Sequence, residues 1–299
     1  MQYKLMKMAL GNHPEIEITR EKYNDLSTAW EILKAALAIE EKYELVISNF
    51  LELEKDSLAI SAEHMIRNNL DYSTFFDISS TFNRRIVNLM TATRLYIDQI
   101  QQHVKVCDPE LVEIVKGSFS LEYDALFEYR FMEALRNYVQ HRGLAVHLTQ
   151  MPSEWVEDGE FRFLEYKTKI YAQRANLEGD KAFKKAVFHE MPERVELLAA
   201  SKVYMEAISK VHDFIRTSIK EVVDKSREQV KESIVQYASL NNGNAVGLYA
   251  ISFEKGKSAD KIHEKVLLQL SWDDVRLELV RKNGSLNNLS KWYVSGKCI

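Results

Sequence analysis

The residue types that can carry out chemistry occur together in segment 136–141, which reads Arg-Asn-Tyr-Val-Gln-His. An imidazole such as that of His141 can take up and release a proton near neutral pH, because histidine ordinarily titrates at about 6.5. Arg136 supplies a permanent charge and a planar pair of donors that suits two phosphate oxygens. Asn137 is placed to orient either of them. These groups together can supply proton transfer and the stabilisation of negative charge at a phosphate group.

The spacing of the motif is a weak signal, and its context makes it stronger. Arg142 and His147 have the same spacing, but no polar residue follows that arginine. At Arg136 apolar residues precede the arginine, Asn137 follows it, and His141 lies where a helix is predicted to end. Five residues turn a helix through about 500°. Arg136 and His141 therefore need a distorted helix end, or a site shared by two chains, to act together.

The same residues also allow a structural interpretation. Arg136 would then be an ordinary exposed arginine on a helix, and His141 would bond the last carbonyl groups of that helix. Solvent accessibility separates the two interpretations. An enzyme should keep both side chains accessible in a cleft, whereas a scaffold should bury His141 against carbonyl groups.

Other basic residues could bind a nucleic-acid substrate near the motif. The candidates for substrate binding are Arg84, Arg85 and Arg142, with Arg94 on the same predicted helix as the first two. Lys181, Lys184 and Lys185, interleaved with Phe183 and Phe188, form a second candidate phosphate-binding patch. Solvated helix faces are the alternative explanation for both groups. The chain contains no P-loop, dinucleotide-binding, nucleophile-elbow or zinc-ligand pattern, so we expect neither a metal nor a cofactor.

Composition limits the kind of nucleic-acid binding that the chain can support. The 299 residues include 40 basic and 44 acidic side chains, for a net charge of −4. Proteins that coat nucleic acid non-specifically usually carry a basic excess, so any contact must come from a local patch. The two cysteines, Cys107 and Cys298, lie in unrelated contexts, which indicates a reducing compartment. Without an apolar signal core or a bilayer-spanning apolar run, we expect a cytoplasmic protein that does not bind membranes.

The scarcity of turn residues predicts a mainly α-helical fold. The chain has only 10 glycines and 4 prolines, which favours long helices over many short strands. Apolar periodicity predicts helices over about 18–55, 56–69, 77–104, 120–138, 161–175 and 192–240, with a break at 68–71, a turn at 107–109 and a loop at 152–159. Gly143 is predicted to end the motif helix in a left-handed C-cap. The near-heptad pattern of the last helix favours an amphipathic core helix over a coiled coil.

Strands are predicted only after Asn241, where the composition changes. The predicted strands are 245–253, 275–280 and 292–294, with a turn at 283–284. These patterns divide the chain into a helical bundle over 1–150 that carries the motif, a helical extension over 151–240, and a small β-rich C-terminal region over 241–299.

The segment Leu135-Arg136-Asn137 followed by His141 closely resembles the hallmark of the HEPN superfamily, an arginine, a polar residue, a short spacer and a histidine on a late helix. The resemblance implies a helical bundle, here about 56–148, that pairs two copies of the motif across a homodimer interface. It also implies a metal-independent endoribonuclease with Arg136 and His141 as catalytic residues and Asn137 in support. Such proteins often serve as toxins or in antiphage defence, so an antitoxin or another protein is a candidate partner beside RNA.

A second function of a different class fits the same sequence. The chain would then be a non-catalytic helical module for protein interaction or nucleotide binding, in which the long helix and the β-rich region bind a partner. No feature of the sequence identifies that partner or an RNA target.

The motif's geometry predicts that the protein is at least a homodimer, because two facing copies would present two arginines and two histidines to one phosphate. Sedimentation at micromolar concentration should give at least twice the mass of the chain. A strictly monomeric mass with intact nuclease activity would remove the argument for a shared site.

Overall fold

The structure is a computed structural model that describes residues 1–67, 71–159, 161–256 and 261–294. The protein is mainly helical with a small portion of sheet, which confirms the predicted mainly α class. Among the described residues, no helix combines the length and the apolar character that crossing a membrane requires. Cys298 lies outside the described residues.

Eight α-helices and one short 3-10 turn are present in the part of the chain that the structure describes. The helices are α1 (Arg20–Arg67), α2 (Tyr72–Cys107), α3 (Leu111–Ala125), α4 (Phe127–His141), α5 (Arg174–Leu177), α6 (Lys185–Glu190), α7 (Leu197–Leu240) and α8 (Ser271–Lys282), and the 3-10 turn is Leu289–Lys291. The longest helices begin at side chains that accept hydrogen bonds from free backbone N–H groups. Thr19 caps α1, Asp71 caps α2, and Glu196 caps α7.

Nine strands pair in three antiparallel sheets within the described residues. The strands are β1 (Gln2–Lys7), β2 (Glu15–Glu17), β3 (Leu148–Gln150), β4 (Ser153–Asp158), β5 (Phe161–Tyr166), β6 (Lys169–Gln173), β7 (Arg194–Glu196), β8 (Leu248–Glu254) and β9 (Lys261–Leu267). The sheet orders are β2-β1-β8-β9, β3-β6-β7 and β4-β5. The prediction that strands occur only after Asn241 is therefore wrong.

The chain forms two compact units, each assembled from separate stretches of sequence. The first contains Met1–Glu41, Ile100–Glu113 and Phe214–Gly284, and the second contains Lys42–Gln99, Ile114–Asp213 and the described residues from Ser285. Each of the predicted segments, 1–150, 151–240 and 241–299, is a single continuous stretch, whereas each unit combines several stretches. The motif helix α4 lies entirely in the second unit.

The first unit joins the four-stranded sheet to helical segments and α8. Leu5 of β1 and Ala250 of β8 pair directly, and both are fully buried. Arg216 makes two hydrogen bonds to the carboxylate of Glu40, at 2.8 and 2.6 Å. Cys107 is also buried here, and burial raises the pKa of its thiol to about 12. This thiol is therefore protonated and unreactive at neutral pH.

Helix α7 confirms the prediction of an amphipathic core helix. Of its near-heptad positions, Leu197, Tyr204, Ile208, Val211 and Ile215 are buried within the chain, and Val222 is half-buried. The buried positions therefore pack within the protein's own core.

The helix boundaries near the N-terminus differ from the prediction in one place. The two helices predicted over 18–55 and 56–69 are a single helix, α1. No glycine or proline stands near residue 55, so the backbone has no reason to stop there. The predicted break at 68–71 falls mostly on residues 68–70, which lie outside the described residues. The predicted turn at 107–109 is confirmed, because α2 ends at Cys107 and α3 begins at Leu111.

The segment around the motif helix also begins differently. The single helix predicted over 120–138 is α3 followed by α4, and extended backbone at Leu126 separates them (φ −114°, ψ 120°). The N–H of Arg130 still bonds the carbonyl of Leu126, at 3.2 Å. Helix α4 therefore starts anew at Phe127, two residues before its first buried residue, Tyr129.

Two predictions after residue 150 are wrong for a common reason. The predicted loop at 152–159 and helix at 161–175 are the hairpin β4–β5 followed by β6, with a turn at Gly159 (φ +62°). The run Phe-Arg-Phe-Leu-Glu-Tyr alternates its apolar residues imperfectly, and its pairing with β4 outweighs the helical interpretation. Conversely, the predicted strand at 275–280 lies in helix α8, and no strand occurs at 292–294.

Gly143 is needed for close packing, and the predicted left-handed C-cap is wrong. Its φ is not positive, and α4 ends through a hydrogen bond from the Arg142 N–H to the carbonyl of Tyr138, at 2.8 Å. A Cβ added at Gly143 would lie 2.4 Å from the hydroxyl oxygen of Tyr138. The Tyr138 ring is itself buried and meets His147 edge-on, with ring centres 6.0 Å apart. The chain therefore passes directly against Tyr138 after the helix ends.

We predict that Gly143→Ala lowers the free energy of unfolding by about 1–3 kcal/mol, because the buried Tyr138 ring must move to admit the methyl group. Urea denaturation followed by circular dichroism measures this change. Gly117→Ala is the matched control, since Gly117 lies within α3 and nothing lies within 4 Å of the added Cβ. The free energy of unfolding of this control should increase by about 0.5–1 kcal/mol, because alanine favours the helix more than glycine does. Equal shifts in both variants would contradict the packing explanation.

Candidate functional site

Helix α4 is positioned by one strongly apolar face. Phe131, Leu135 and Tyr138 recur at helical intervals and are buried. Phe131 meets Phe183 with ring centres 5.9 Å apart. This face holds the helix against the second unit's core, so the residues on the remaining surface of α4 are presented in a defined orientation.

The helix is regular through its last residue. It ends at His141, and the following N–H continues the helical bonding to Tyr138. A distorted helix end therefore does not bring Arg136 and His141 together within one chain. The two residues leave the backbone on different sides of α4, as their spacing predicts.

Asn137 reduces this separation through the side chain of Arg136. The guanidinium Nη1 of Arg136 donates a hydrogen bond to Oδ1 of Asn137, at 3.0 Å. Asn137 is four residues before His141, so the two share a face of the helix at neighbouring positions. The charged end of Arg136 is consequently drawn toward the face that carries His141.

A partly buried polar cluster surrounds Glu133, one helical turn before Arg136. The hydroxyl of Tyr204 on α7 donates to the carboxylate of Glu133, at 2.6 Å, and Arg94 lies 3.6 Å from the same carboxylate. Tyr129 packs edge-on against Tyr204, with ring centres 5.0 Å apart. Burial, and then the Glu133 charge, raise the pKa of Tyr204 well above its usual value, while the charge of Arg136 opposes this increase. Arg136 is thus near enough to Tyr204 to act on it electrostatically.

One atom of Arg136 has no satisfied hydrogen bond. Its Nε is buried and has no partner among the described residues. Leaving a buried donor unpaired typically costs about 1–3 kcal/mol. The guanidinium is therefore only partly engaged by the protein: Nη1 is bonded to Asn137, and Nε is a donor with no acceptor.

His141 is exposed, and its side chain makes no hydrogen bond or ion pair within the described residues. The structural interpretation predicts that His141 bonds the last carbonyl groups of α4, and this bond is absent among the described residues. A cavity of 270 Å³ lies beside the polar cluster, lined by Arg94, Tyr129 and Glu133 among other residues. None of the three motif side chains lines this cavity.

The candidate substrate-binding arginines have different surroundings. Arg84 is exposed on α2 and makes no ion pair within the described residues. Arg85 instead binds the carboxylates of Asp56 and Glu52 on α1, and the hydrogen bond to Asp56 in particular raises its pKa; its charge is neutralised locally. Arg142 is mostly exposed and lies 3.6 Å from Asp180. Arg84 and Arg142 thus remain accessible to a phosphate, whereas Arg85 is part of a local ion-pair network.

The second candidate basic patch does not present its aromatic rings for stacking. Phe183 is buried against α4, and Phe188 is covered by the guanidinium of Arg174 at 4.4 Å. Lys184 donates to the hydroxyl of Tyr123, at 2.9 Å. These residues therefore belong to the packing of α4 and α6.

His147, the other histidine that follows an arginine by five residues, has a structural position. Its Nδ1 accepts a hydrogen bond from the N–H of Gln173, at 3.0 Å, and its Nε2 is buried without a partner among the described residues. Burial lowers the pKa of His147 below its ordinary value. The side chain is thus held neutral between the motif helix and β6.

Sequence reasoning did not identify Tyr129 and Tyr204 as neighbours of the motif. Tyr129, Glu133 and Arg136 follow a helical i, i+4, i+7 pattern, which is the local signal that could have placed them on one face. Tyr204 lies far along the chain, and no local pattern indicates its contact with Glu133.

No family model, curated protein or solved structure matches the chain significantly. Among the described residues, no group of three or more His, Cys, Asp and Glu side chains is arranged to hold a metal ion. The functional argument therefore depends on the motif and its geometry.

We predict that the buried neutral state of His147 makes stability depend on pH. A folded-state pKa below the unfolded value of 6.5 means that unfolding takes up a proton. The contribution of His147 to the free energy of unfolding is complete above pH 6.5 and is lost as the pH falls through the folded-state pKa. The free energy of unfolding then falls by at most about 1.4 kcal/mol per pH unit. Urea unfolding between pH 8 and 5 measures it.

His147→Asn should reduce this pH dependence, because its amide oxygen can accept the Gln173 N–H but does not titrate. His141→Ala is the control, and it should keep the pH dependence because His141 is exposed. An unchanged pH slope in His147→Asn would assign the effect to another group.

Proposed function

We propose that the protein is a metal-independent endoribonuclease of HEPN type, with Arg136 and His141 as catalytic residues and Asn137 positioning the arginine. The observation that supports this most directly is the 3.0 Å hydrogen bond from Arg136 to Asn137, one helical turn before an exposed His141. It brings a partly engaged cation toward an unengaged imidazole on the same helix.

The proposed reaction begins with attack of the RNA 2′-OH on the adjacent phosphorus. A bond forms between the 2′-oxygen and phosphorus, and the bond to the 5′-oxygen breaks, leaving a 2′,3′-cyclic phosphate and a 5′-OH. His141 transfers the proton at the nucleophile or at the leaving oxygen. Arg136 stabilises the charge on the non-bridging oxygens, and Asn137 keeps its fork oriented.

A homodimer would complete the site in this proposal. In one chain Arg136 and His141 diverge around α4, and the motif does not line the 270 Å³ cavity beside it. A second copy facing the first would supply the missing wall and place the histidine of one chain near the arginine of the other. Arg84 and Arg142, both accessible, are the proposed contacts to the RNA backbone. A toxin or antiphage role, with an antitoxin as partner, is the biological setting that the HEPN resemblance suggests.

One observation favours a non-catalytic alternative. Arg136 is half-buried and its charge acts on the Tyr204–Glu133 pair. A structural arginine that balances Glu133 would show the same environment. In that case the chain would be a helical interaction or nucleotide-binding module, and His141 would have no chemical role.

We predict that His141→Ala abolishes cleavage of single-stranded RNA over ordinary assay times, since loss of a general acid or base typically costs about 10²–10⁴ in rate. Arg136→Lys should lose about 10²–10³, because an ammonium keeps the charge but lacks the planar fork. Cleavage by the wild type should persist in EDTA and leave 2′,3′-cyclic phosphate ends. Gel analysis of end-labelled RNA measures the cleavage rate of each variant, the effect of EDTA on the wild type and the chemistry of the product ends.

The matched control is His189→Ala, an exposed histidine in the last turn of α6, which should leave the rate unchanged. Thermal unfolding of each variant separates the two candidate functions. A structural role predicts that Arg136→Lys and Arg136→Ala alter mainly stability. Cleavage that requires magnesium, or that persists in both His141→Ala and Arg136→Ala, would contradict the proposed ribonuclease.

A further inference from the structure

The hairpin β4–β5 carries large exposed apolar side chains on both of its faces. Trp155 pairs with Leu164, and the side chains of these two residues therefore share one face. Phe161 and Phe163 lie on the other face, with ring centres 6.2 Å apart. Trp155 is 62% exposed and Phe161 is 65% exposed. Exposed aromatic residues at this density are characteristic of a binding surface.

The hairpin also has unpaired backbone groups along its outer edges. Among the described residues, β4 and β5 pair only with each other. A two-stranded hairpin is marginally stable in water by itself, and such an edge can accept a further strand from another chain. The geometry therefore suits a partner that binds in an extended conformation.

The charge of the hairpin restricts the partner. Segment 153–167 contains five acidic residues and two basic ones, Arg162 and Lys167. Lys167 is already shared between the carboxylates of Glu154 and Glu165. Arg162 lies over the ring of Trp155, at 5.4 Å, and 3.6 Å from Glu157. The segment thus keeps a negative excess after its own ion pairs have formed.

A cavity at the base of the hairpin extends this surface. It has a volume of 390 Å³, and its lining includes His64, Asp77 and Met151. Two further carboxylates in the lining are already paired, Asp56 with Arg85 and Glu63 with Arg67, which also lines the cavity. His64 is 7% exposed, its Nδ1 has no partner among the described residues, and its ring meets that of Tyr166 in β5 edge-on. Asp77 is exposed and makes no hydrogen bond or ion pair within the described residues. The cavity therefore offers an unengaged carboxylate and a buried nitrogen close to the apolar strand.

We infer that the hairpin and the cavity at its base form a docking surface for a basic, extended segment of a protein partner. Such a segment would add a strand to the hairpin edge, pack alternate apolar side chains against Trp155, and place a lysine or arginine side chain near Asp77. Charge favours this occupant over others. RNA and anionic membranes would be repelled, and the hairpin of a second copy would bring like charges together. This inference is independent of the proposed ribonuclease activity.

Synthetic peptides test the inference on the full-length protein. The probe is a blocked octapeptide that alternates lysine and valine, compared with one that alternates lysine and glycine and one that alternates glutamate and valine. We expect binding of the lysine–valine peptide at 150 mM salt by isothermal titration calorimetry, with slower hydrogen exchange in β4 or β5. The lysine–glycine peptide should bind about tenfold more weakly or not at all, because glycine has a low strand propensity. The same is expected of the glutamate–valine peptide, because its negative charge is repelled by the surface.

Two substitutions and their controls locate the binding. Trp155→Ala should weaken the lysine–valine peptide about tenfold, whereas Trp292→Ala, at a tryptophan that is 50% exposed outside the hairpin, should not. Asp77→Asn should weaken it severalfold, whereas Asp25→Asn, at an exposed carboxylate on α1, should not. Circular dichroism of each variant verifies the fold.

Several outcomes would overturn the inference. Equal binding of the lysine–valine and lysine–glycine peptides, unaffected by Trp155→Ala, would show electrostatic attraction without a docking surface. Binding of single-stranded RNA that Trp155→Ala abolishes would assign the hairpin to nucleic acid. A dimer that dissociates in Trp155→Ala would assign it to a second copy of the chain.

Discussion

The hydrogen bond from Tyr204 to Glu133 is a buried polar link between the motif helix and α7. It joins α7 to α4, and Tyr204 is almost completely buried, so water cannot replace the lost partner if the bond breaks. A hydrogen bond to a charged group is worth about 1.5–3 kcal/mol, and an unpaired buried carboxylate costs more. Asn137 and His141 follow Glu133 at intervals of four residues along the same side of α4, and both are exposed, whereas Glu133 is only partly buried. This side of α4 therefore passes from the polar contact with Tyr204 to solvent as the helix approaches its end.

Arg136 has two neighbours of different kinds. On one side its charge acts on Tyr204, and on the other its Nη1 is held by Asn137. The exposed end of this permanently charged guanidinium can bind an anion that arrives from solvent, whereas its unpaired Nε is buried. The same charge is equally well suited to balance Glu133. The charge of Arg136 therefore has both a local structural use and the proposed catalytic use, and only the change to lysine separates them cleanly.

The sequence predicts the helices better than the strands, and the reason is the range of the interactions. Each turn of α2 or α7 repeats a local apolar pattern, so the periodicity can be recognised in a short window. Strand β1 is different, because the residue opposite Leu5 is Ala250 near the other end of the chain. In α8 the alternation of Val275, Leu277 and Leu279 resembles a strand, yet Arg276 and Asp273 bond each other across one helical turn.

The candidate site shows the same division. The position of the motif on a helix, the end of that helix near His141, and the capacity of Asn137 to orient a neighbour all follow from local sequence. The proximity of Tyr204 and the neutralisation of Arg85 by α1 depend on packing between distant segments. Neither could be derived from spacing along the chain.

The pairing of β1 with β8 affects how the protein can be made. Residues 2–7 are synthesised well before residues 248–254. At about 5–20 residues per second, β1 waits roughly 12–50 s for β8. During that interval β1 can pair only with β2, at its other edge. The first unit therefore cannot complete its sheet until β8 has been synthesised, and a chain that stops before β8 leaves one edge of β1 unpaired.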